Sequence, residues 1–239
     1  MRSDNQLKIN SALSFSSGII FYSNTKTEYG VIATIDSNQN IHAEFGKVEE
    51  LLLKHYEDKA YIIKSTIVKI VLMISLFFTL YFLMNREFLS CLRMLLGDLC
   101  FIYSLLLFTE NISWKSSKFH SAEHKSINAY NSLNRPPTLE EVRFYSRFCK
   151  NCSTNTITYF QLTCTILFAC TWINPFNLYL LIILLVLVFV LFKLNLLCWG
   201  QVFTTLKPTE KELEVAIKGI ELWEKYERML EKNEEKTDN

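Results

Sequence analysis

The chain lacks an excess of either charge. Its 25 Lys and Arg face 24 Asp and Glu, for a net charge of +1 over 239 residues. No nucleic-acid partner is expected from that balance, because neutralising a phosphate backbone takes a basic surplus. A disulfide framework is missing too. Of seven cysteines, Cys91, Cys100, Cys164, Cys170 and Cys198 fall in apolar runs, where a thiol acts as a small hydrophobe. Only Cys149 and Cys152 lie in a polar stretch, which fits a reducing compartment. The first residues, MRSDNQLKINSALSF, have no basic start followed by an apolar core and a small-residue cleavage site. A cleaved secretory signal is therefore not expected. Histidine is scarce, with four residues, and two of them share one short stretch, FHSAEHKSINAY, from 119 to 130.

Hydrophobic residues are abundant, at 50%, and gather in mid-chain runs. A helix needs roughly 20 mostly apolar residues to cross a bilayer. Four runs approach this, at 66–84, 89–109, 157–173 and 178–199; Arg93 and Asp98 interrupt the second. Short turns, NRE and NPFN, join the runs in pairs. Lysine and arginine gather in the N-terminal region, the loop between the pairs and the tail. By the positive-inside rule those parts are cytoplasmic. The expectation is an α-helical membrane protein: four transmembrane helices, a small N-terminal cytoplasmic β-unit and a cytoplasmic helical hairpin. Its segments would be a β-unit with a connecting helix (1–60), a transmembrane hairpin (61–109), a helical loop (110–156), a second transmembrane hairpin (157–199), and an amphipathic helix with a disordered tail (200–239). An ionisable group inside a span is costly. Asp98 would then face Lys69 or Arg93 as a possible intramembrane polar site, or Arg93 and Asp98 would both reach a polar region from a shallow span.

The polar parts carry their own patterns. GIIFYS, YGVIATI and IHAEF read as strands, with DSNQN as a turn. KVEELLLKHYEDK reads as a helix leading into the first span. In the long loop, one helix covers about 118–133 and stops at NRPP, where two prolines cannot continue it. A second starts at Thr138, with Glu141 making a capping box, and runs through LEEVRFYSRF to CKNCST. The tail is an amphipathic helix with Thr209 and Glu212 as its capping box and an apolar stripe of Leu213, Ala216, Ile217, Ile220 and Trp223.

On a helix, His120 and His124 lie on one face and can present two imidazole nitrogens to one ion. Glu123 sits close to that face. H-x-x-E-H is the inverted zincin arrangement, in which a glutamate activates a zinc-bound water. Cys149-x-x-Cys152 adds two thiolates at the end of the next helix. Two histidines and two cysteines make a tetrahedral zinc site. If all four bind, the site is closed and structural. If one cysteine stays off the metal, a position is open for water. The plain alternative is a polar helix with two reduced thiols and no metal.

These residues also carry a resemblance. FHSAEHKSINAYNS, followed by PTLEEVRFYSRFCKNCSTN, resembles the signature of the YqhQ-like family of bacterial multi-pass membrane proteins. Their function is unknown and they are often labelled metal-dependent enzymes. His120, Glu123, His124, Lys125, Ile127, Ala129 and Tyr130 match its first part. Thr138, Glu140, Val142, Arg143, Ser146, Arg147, Cys152 and Thr154 match its second. Gln201, Thr204, Thr205 and Pro208, and the run from 214 to 217, match its tail. Cys149 stands where the family has histidine, and Ser153 where it has glycine. The family's glycine-rich N-terminal segment is nearly gone. The resemblance implies a bacterial cell membrane location, a zinc site and, for Lys125, Tyr130, Arg143, Ser146, Arg147, Thr154 and Gln201, roles it does not specify.

Three functions follow as expectations. One is a membrane adaptor or assembly factor with a zinc site. Another is a metal-dependent membrane hydrolase, with Glu123 as catalytic base and His120, His124, Cys149 and Cys152 as ligands. The third is a transport-related component using Asp98 and Lys69. Expected partners are the lipid bilayer, a protein at the cytoplasmic face, and further copies of the chain.

Overall fold

The computed structural model describes residues 7–55, 73, 77, 88–112, 114–150, 152–170, 178–194 and 200–237. The chain forms two compact units. The first takes residues 1–57, 113–149 and 205–239, and the second takes 58–112 and 150–204. Among the described residues the strands are β1 (Ala12–Phe15), β2 (Gly18–Tyr22), β3 (Tyr29–Ile35) and β4 (Ile41–Lys47). The helices are α1 (Val48–His55), α2 (Phe88–Ile112), α3 (Trp114–Leu133), α4 (Leu139–Phe144), α5 (Ser153–Cys170), α6 (Leu178–Lys193), α7 (Gln201–Thr204) and α8 (Glu210–Thr237).

The first unit is a four-stranded antiparallel meander, in the order β1-β2-β3-β4, with helices on both faces. Strands β2, β3 and β4 coincide with the three β-branched and aromatic runs; β1 is a four-residue segment too short to read by pattern. DSNQN forms the β3–β4 turn. There Asp36 Oδ1 accepts from the backbone N–H groups of Asn38 and Asn40, at 2.8 Å each. Alternation splits the strands between two cores. Ile19, Phe21, Val31 and Ala33 face a large cluster with Phe119, Ala122, Ile127 and Tyr130 of α3, Val142 of α4, and Leu213, Ala216, Ile220 and Trp223 of α8. On the other face Phe15, Ile20 and Ile32 meet Leu51 of α1. Helix α8 approaches the sheet closely because Gly219 has no Cβ: one built there would stand 2.6 Å from Phe21 Cε2 and 3.0 Å from Ala33 Cβ. Trp223 Nε1 donates to Tyr22 O at 2.9 Å, and buried Glu227 accepts from Asn24 N and Thr25 Oγ1.

The second unit packs α2 against α5 and α5 against α6. Gln161 Nε2 donates to Ser104 Oγ at 2.8 Å, Tyr103 stacks on Phe160, and Tyr159 meets Phe192 at 4.7 Å.

These helices correct the expected architecture. Among the described residues, no helix is long and apolar enough to cross a membrane. Among the described residues of the run at 178–199, the helix covers Leu178–Lys193, 16 residues. At about 1.5 Å per residue that is some 24 Å, short of the roughly 30 Å hydrocarbon core. The run at 157–173 belongs to α5, whose 18 residues include Thr154, Asn155, Thr158, Gln161, Thr163 and Thr165. Arg93 and Asp98 lie within α2 and break its apolar run. The run at 66–84, apart from residues 73 and 77, and the turns NRE and NPFN lie outside the described residues. The fold observed is a four-stranded antiparallel sheet with helices, not a four-span bundle. The multi-pass membrane location, with cytoplasmic termini and loop, loses its premise, because among the described residues no helix spans a membrane to orient the basic loops. Helix α8 also runs on to Thr237, through most of the tail expected to be disordered.

Candidate metal centre

The centre begins with one turn of α3. His120 and His124 stand edge to face, with ring centroids 4.4 Å apart. His124 is buried, and its Nδ1 lies 2.7 Å from Arg147 O. A carbonyl only accepts, so Nδ1 carries the hydrogen and Nε2 presents its lone pair. Burial pushes the His124 pKa down to about 4, against the opposing pull of the Arg147 carbonyl. A neutral imidazole, oriented by a hydrogen bond at its other nitrogen, is the form that binds metal.

The Arg147 carbonyl is one of a series gripped by α3. Lys125 Nζ donates to the carbonyls of Val142, Arg143 and Tyr145, at 3.4, 2.8 and 2.5 Å. Asn128 Nδ2 donates to those of Ser146 and Phe148, at 2.9 and 3.1 Å. His124, Lys125 and Asn128 thus take up nearly every carbonyl from 142 to 148. This grip explains why α4 ends at Phe144 and does not continue to the cysteines. The carbonyls of its last turn are satisfied by a lysine, and Tyr145 takes an extended backbone. Burial, then the neighbouring Arg147 and Lys207, lower the Lys125 pKa.

His120, His124 and Cys152 each offer one ligand atom, and these three atoms lie within 4.8 Å of one another. Donors at about 2.0–2.3 Å from one zinc ion stand no more than roughly 4.6 Å apart, so small adjustments bring this set to ligating distance. Cys149 and Glu123 are not members of the group. Cys149 is half-buried. Glu123 is buried, and its charge adds to the burial that raises the Tyr22 pKa.

The remaining motif residues take structural positions. Tyr130 is buried edge-on against Trp223, with its pKa pushed up to about 12, first by burial. Arg143 pairs with Glu210. Ser146 Oγ accepts from Phe148 N at 3.0 Å. In the second unit, Thr154 O accepts from Thr158 Oγ1, and Gln201 Nε2 donates to Asn155 Oδ1 at 2.7 Å. Asp98 Oδ2 is buried and has no hydrogen-bond partner among the described residues, while Lys69 lies outside them. Asn128 and Asn155 were not legible as site residues. Asn128 had one signal, its place one turn after His124 on the same face of α3.

Residues 10–197 match the family described as "Protein of unknown function (DUF1385)". The chain belongs to the DUF1385 family. No curated protein and no solved structure matches it. The DUF1385 match takes in the sheet, both histidines and both cysteines, and ends before Gln201. The coarse reading from the residues is thereby met: an uncharacterised family, and a His120–His124–Cys152 group that could hold a metal.

Proposed function

We propose that this DUF1385 protein, read as a YqhQ-like member, binds zinc through His120, His124 and Cys152, and that the metal serves an adaptor or assembly role. The observation that carries the reading is the three-donor group within 4.8 Å, with His124 oriented from its far nitrogen by Arg147 O. Two imidazoles and a thiolate suit zinc, a borderline-soft ion. Zinc bound there would supply a fixed cation and a Lewis acid. His124 would hold its ring by the Arg147 bond, and Lys125 and Asn128 would hold the segment that fixes that carbonyl.

The near loss of the glycine-rich N-terminal segment favours assembly over hydrolysis. Glu123 is buried and its charge acts on Tyr22; a general base for metal-bound water is not itself a ligand, so its place outside the donor group fits either role. A hydrolase remains the second reading, because three protein ligands leave a fourth position for water or for Cys149.

Metal analysis of the purified protein tests both. The wild type is expected to carry about one zinc per chain, and His124→Ala and Cys152→Ser far less. A zinc-free wild type ends the proposal. Glu123→Gln is expected to keep its zinc and to support function in cells; a zinc-loaded but inactive Glu123→Gln would make the hydrolase the better reading.

A further inference from the structure

Gln201 is fully buried in the second unit, where a polar side chain is costly unless it is bonded. Its Nε2 donates to Asn155 Oδ1 at 2.7 Å. That bond decides which way the Asn155 amide faces. With Oδ1 taken by Gln201, Asn155 turns its Nδ2 to Lys150 O, at 2.9 Å. The backbone N–H of Asn155 donates to Cys152 O at 3.0 Å. One residue therefore holds the carbonyl of Cys152 and the carbonyl two residues before it. The neighbourhood is built for this contact. A Cβ at Gly200 would lie 1.9 Å from Thr158 Oγ1, so only glycine lets the chain bring Gln201 so close to α5. Thr154 and Thr158 of α5 and Thr204 of α7, the elements that carry the pair, are buried as well.

We infer that Gln201 and Asn155 are positioning residues for the Cys152 thiolate, acting through the backbone of the loop that carries it. This rests on the metal reading above. Gln201 sets the amide of Asn155; Asn155 grips the loop at 150 and 152; the loop fixes where Sγ stands. Asn155 stands one hydrogen bond from the backbone of the ligand residue and Gln201 two; partners that orient a ligand commonly govern metal affinity by roughly 10–100-fold.

Cobalt(II) titration of the full-length, metal-free protein tests it, read by the thiolate-to-cobalt charge-transfer band and by competition with a chelator. The wild type should show the band and Cys152→Ser should lack it. Gln201→Met keeps the side-chain volume and removes the donor. Asn155→Asp keeps the acceptor for Gln201 and puts a carboxylate in the first turn of α5, where it is tolerated, but it removes the donor to Lys150 O. Both variants should still fold cooperatively without metal, melting somewhat lower for the buried bond lost, yet bind cobalt roughly 10–100-fold more weakly. Wild-type affinity and an unchanged band in either folded variant overturn the inference, with the metal reading intact. Loss of the fold in both also overturns it, since the pair would then hold the unit and not the ligand. A wild type with no band ends the metal reading itself, and this inference with it.

Discussion

Lys125 sits in a motif whose residues suggested metal chemistry, yet its ammonium is spent on three backbone carbonyls. Hydrogen bonds from a charged donor contribute more than neutral ones, about 1.5–3 kcal/mol net. Lys125→Met keeps the stem and removes the donors, so urea unfolding should show a loss of about 2 kcal/mol. Unchanged stability would mean water replaces the lysine at no cost. Gly219 gives a second test, in which two effects compete. Alanine in a helix interior gains about 1 kcal/mol over glycine. Here its Cβ would press on Phe21, itself fully buried, and on Ala33. Overpacking costs about 1–3 kcal/mol, so Gly219→Ala should lower the melting temperature. At this scale the sequence was readable where residue type carries the chemistry: His120, His124 and Cys152 name themselves as donors. Lys125 could only be matched to a pattern, because its partners lie 17 to 20 residues downstream and meet it only in the fold.

Local signals read well at the scale of elements, and non-local ones do not. The Thr138–Glu141 capping box forms as expected, and Thr209 N donates to Glu212 Oε2 at the start of α8. Each needs only four consecutive residues. The end of α4 depends on Lys125, so it is misread from hydropathy and propensity alone. That is also why apolar runs suggested membrane spans: a run reports hydrophobicity, not helix length. The α4 cap makes a pH prediction. Arg135, then the Thr138 backbone N–H, hold the Glu141 pKa down to about 2. The folded state thus binds this proton less readily than the unfolded chain. Its stabilisation is complete above the ordinary glutamate value of about 4.3 and is lost as pH falls towards 2. Comparing Glu141→Gln with the wild type by urea unfolding should show a gap near neutral pH that closes on acidification. A gap that stays constant with pH would rule out the carboxylate as its cause.

The first unit is assembled from three separate segments of chain, so its core is a non-local product. Helix α8 comes from the third, and all of that segment lies beyond the residues matched to the family. Yet Leu213, Val215, Ala216, Ile220 and Trp223 are all fully buried against the sheet and α3. Fully burying one large apolar side chain contributes about 1.5–3 kcal/mol. Four such residues rival the roughly 5–15 kcal/mol of net stability a domain has to lose. The helix therefore belongs to the unit's core, and the packing role read from its apolar stripe outweighs a free partner-binding role. A chain ending at 206 should lose the cooperative thermal transition of the sheet and be cleaved rapidly by trypsin within residues 7–55. A chain ending at 231 keeps every one of those buried contacts and should resist both. If the shorter chain melted cooperatively, α8 would be a docked accessory, and its stripe would again be open to a partner protein.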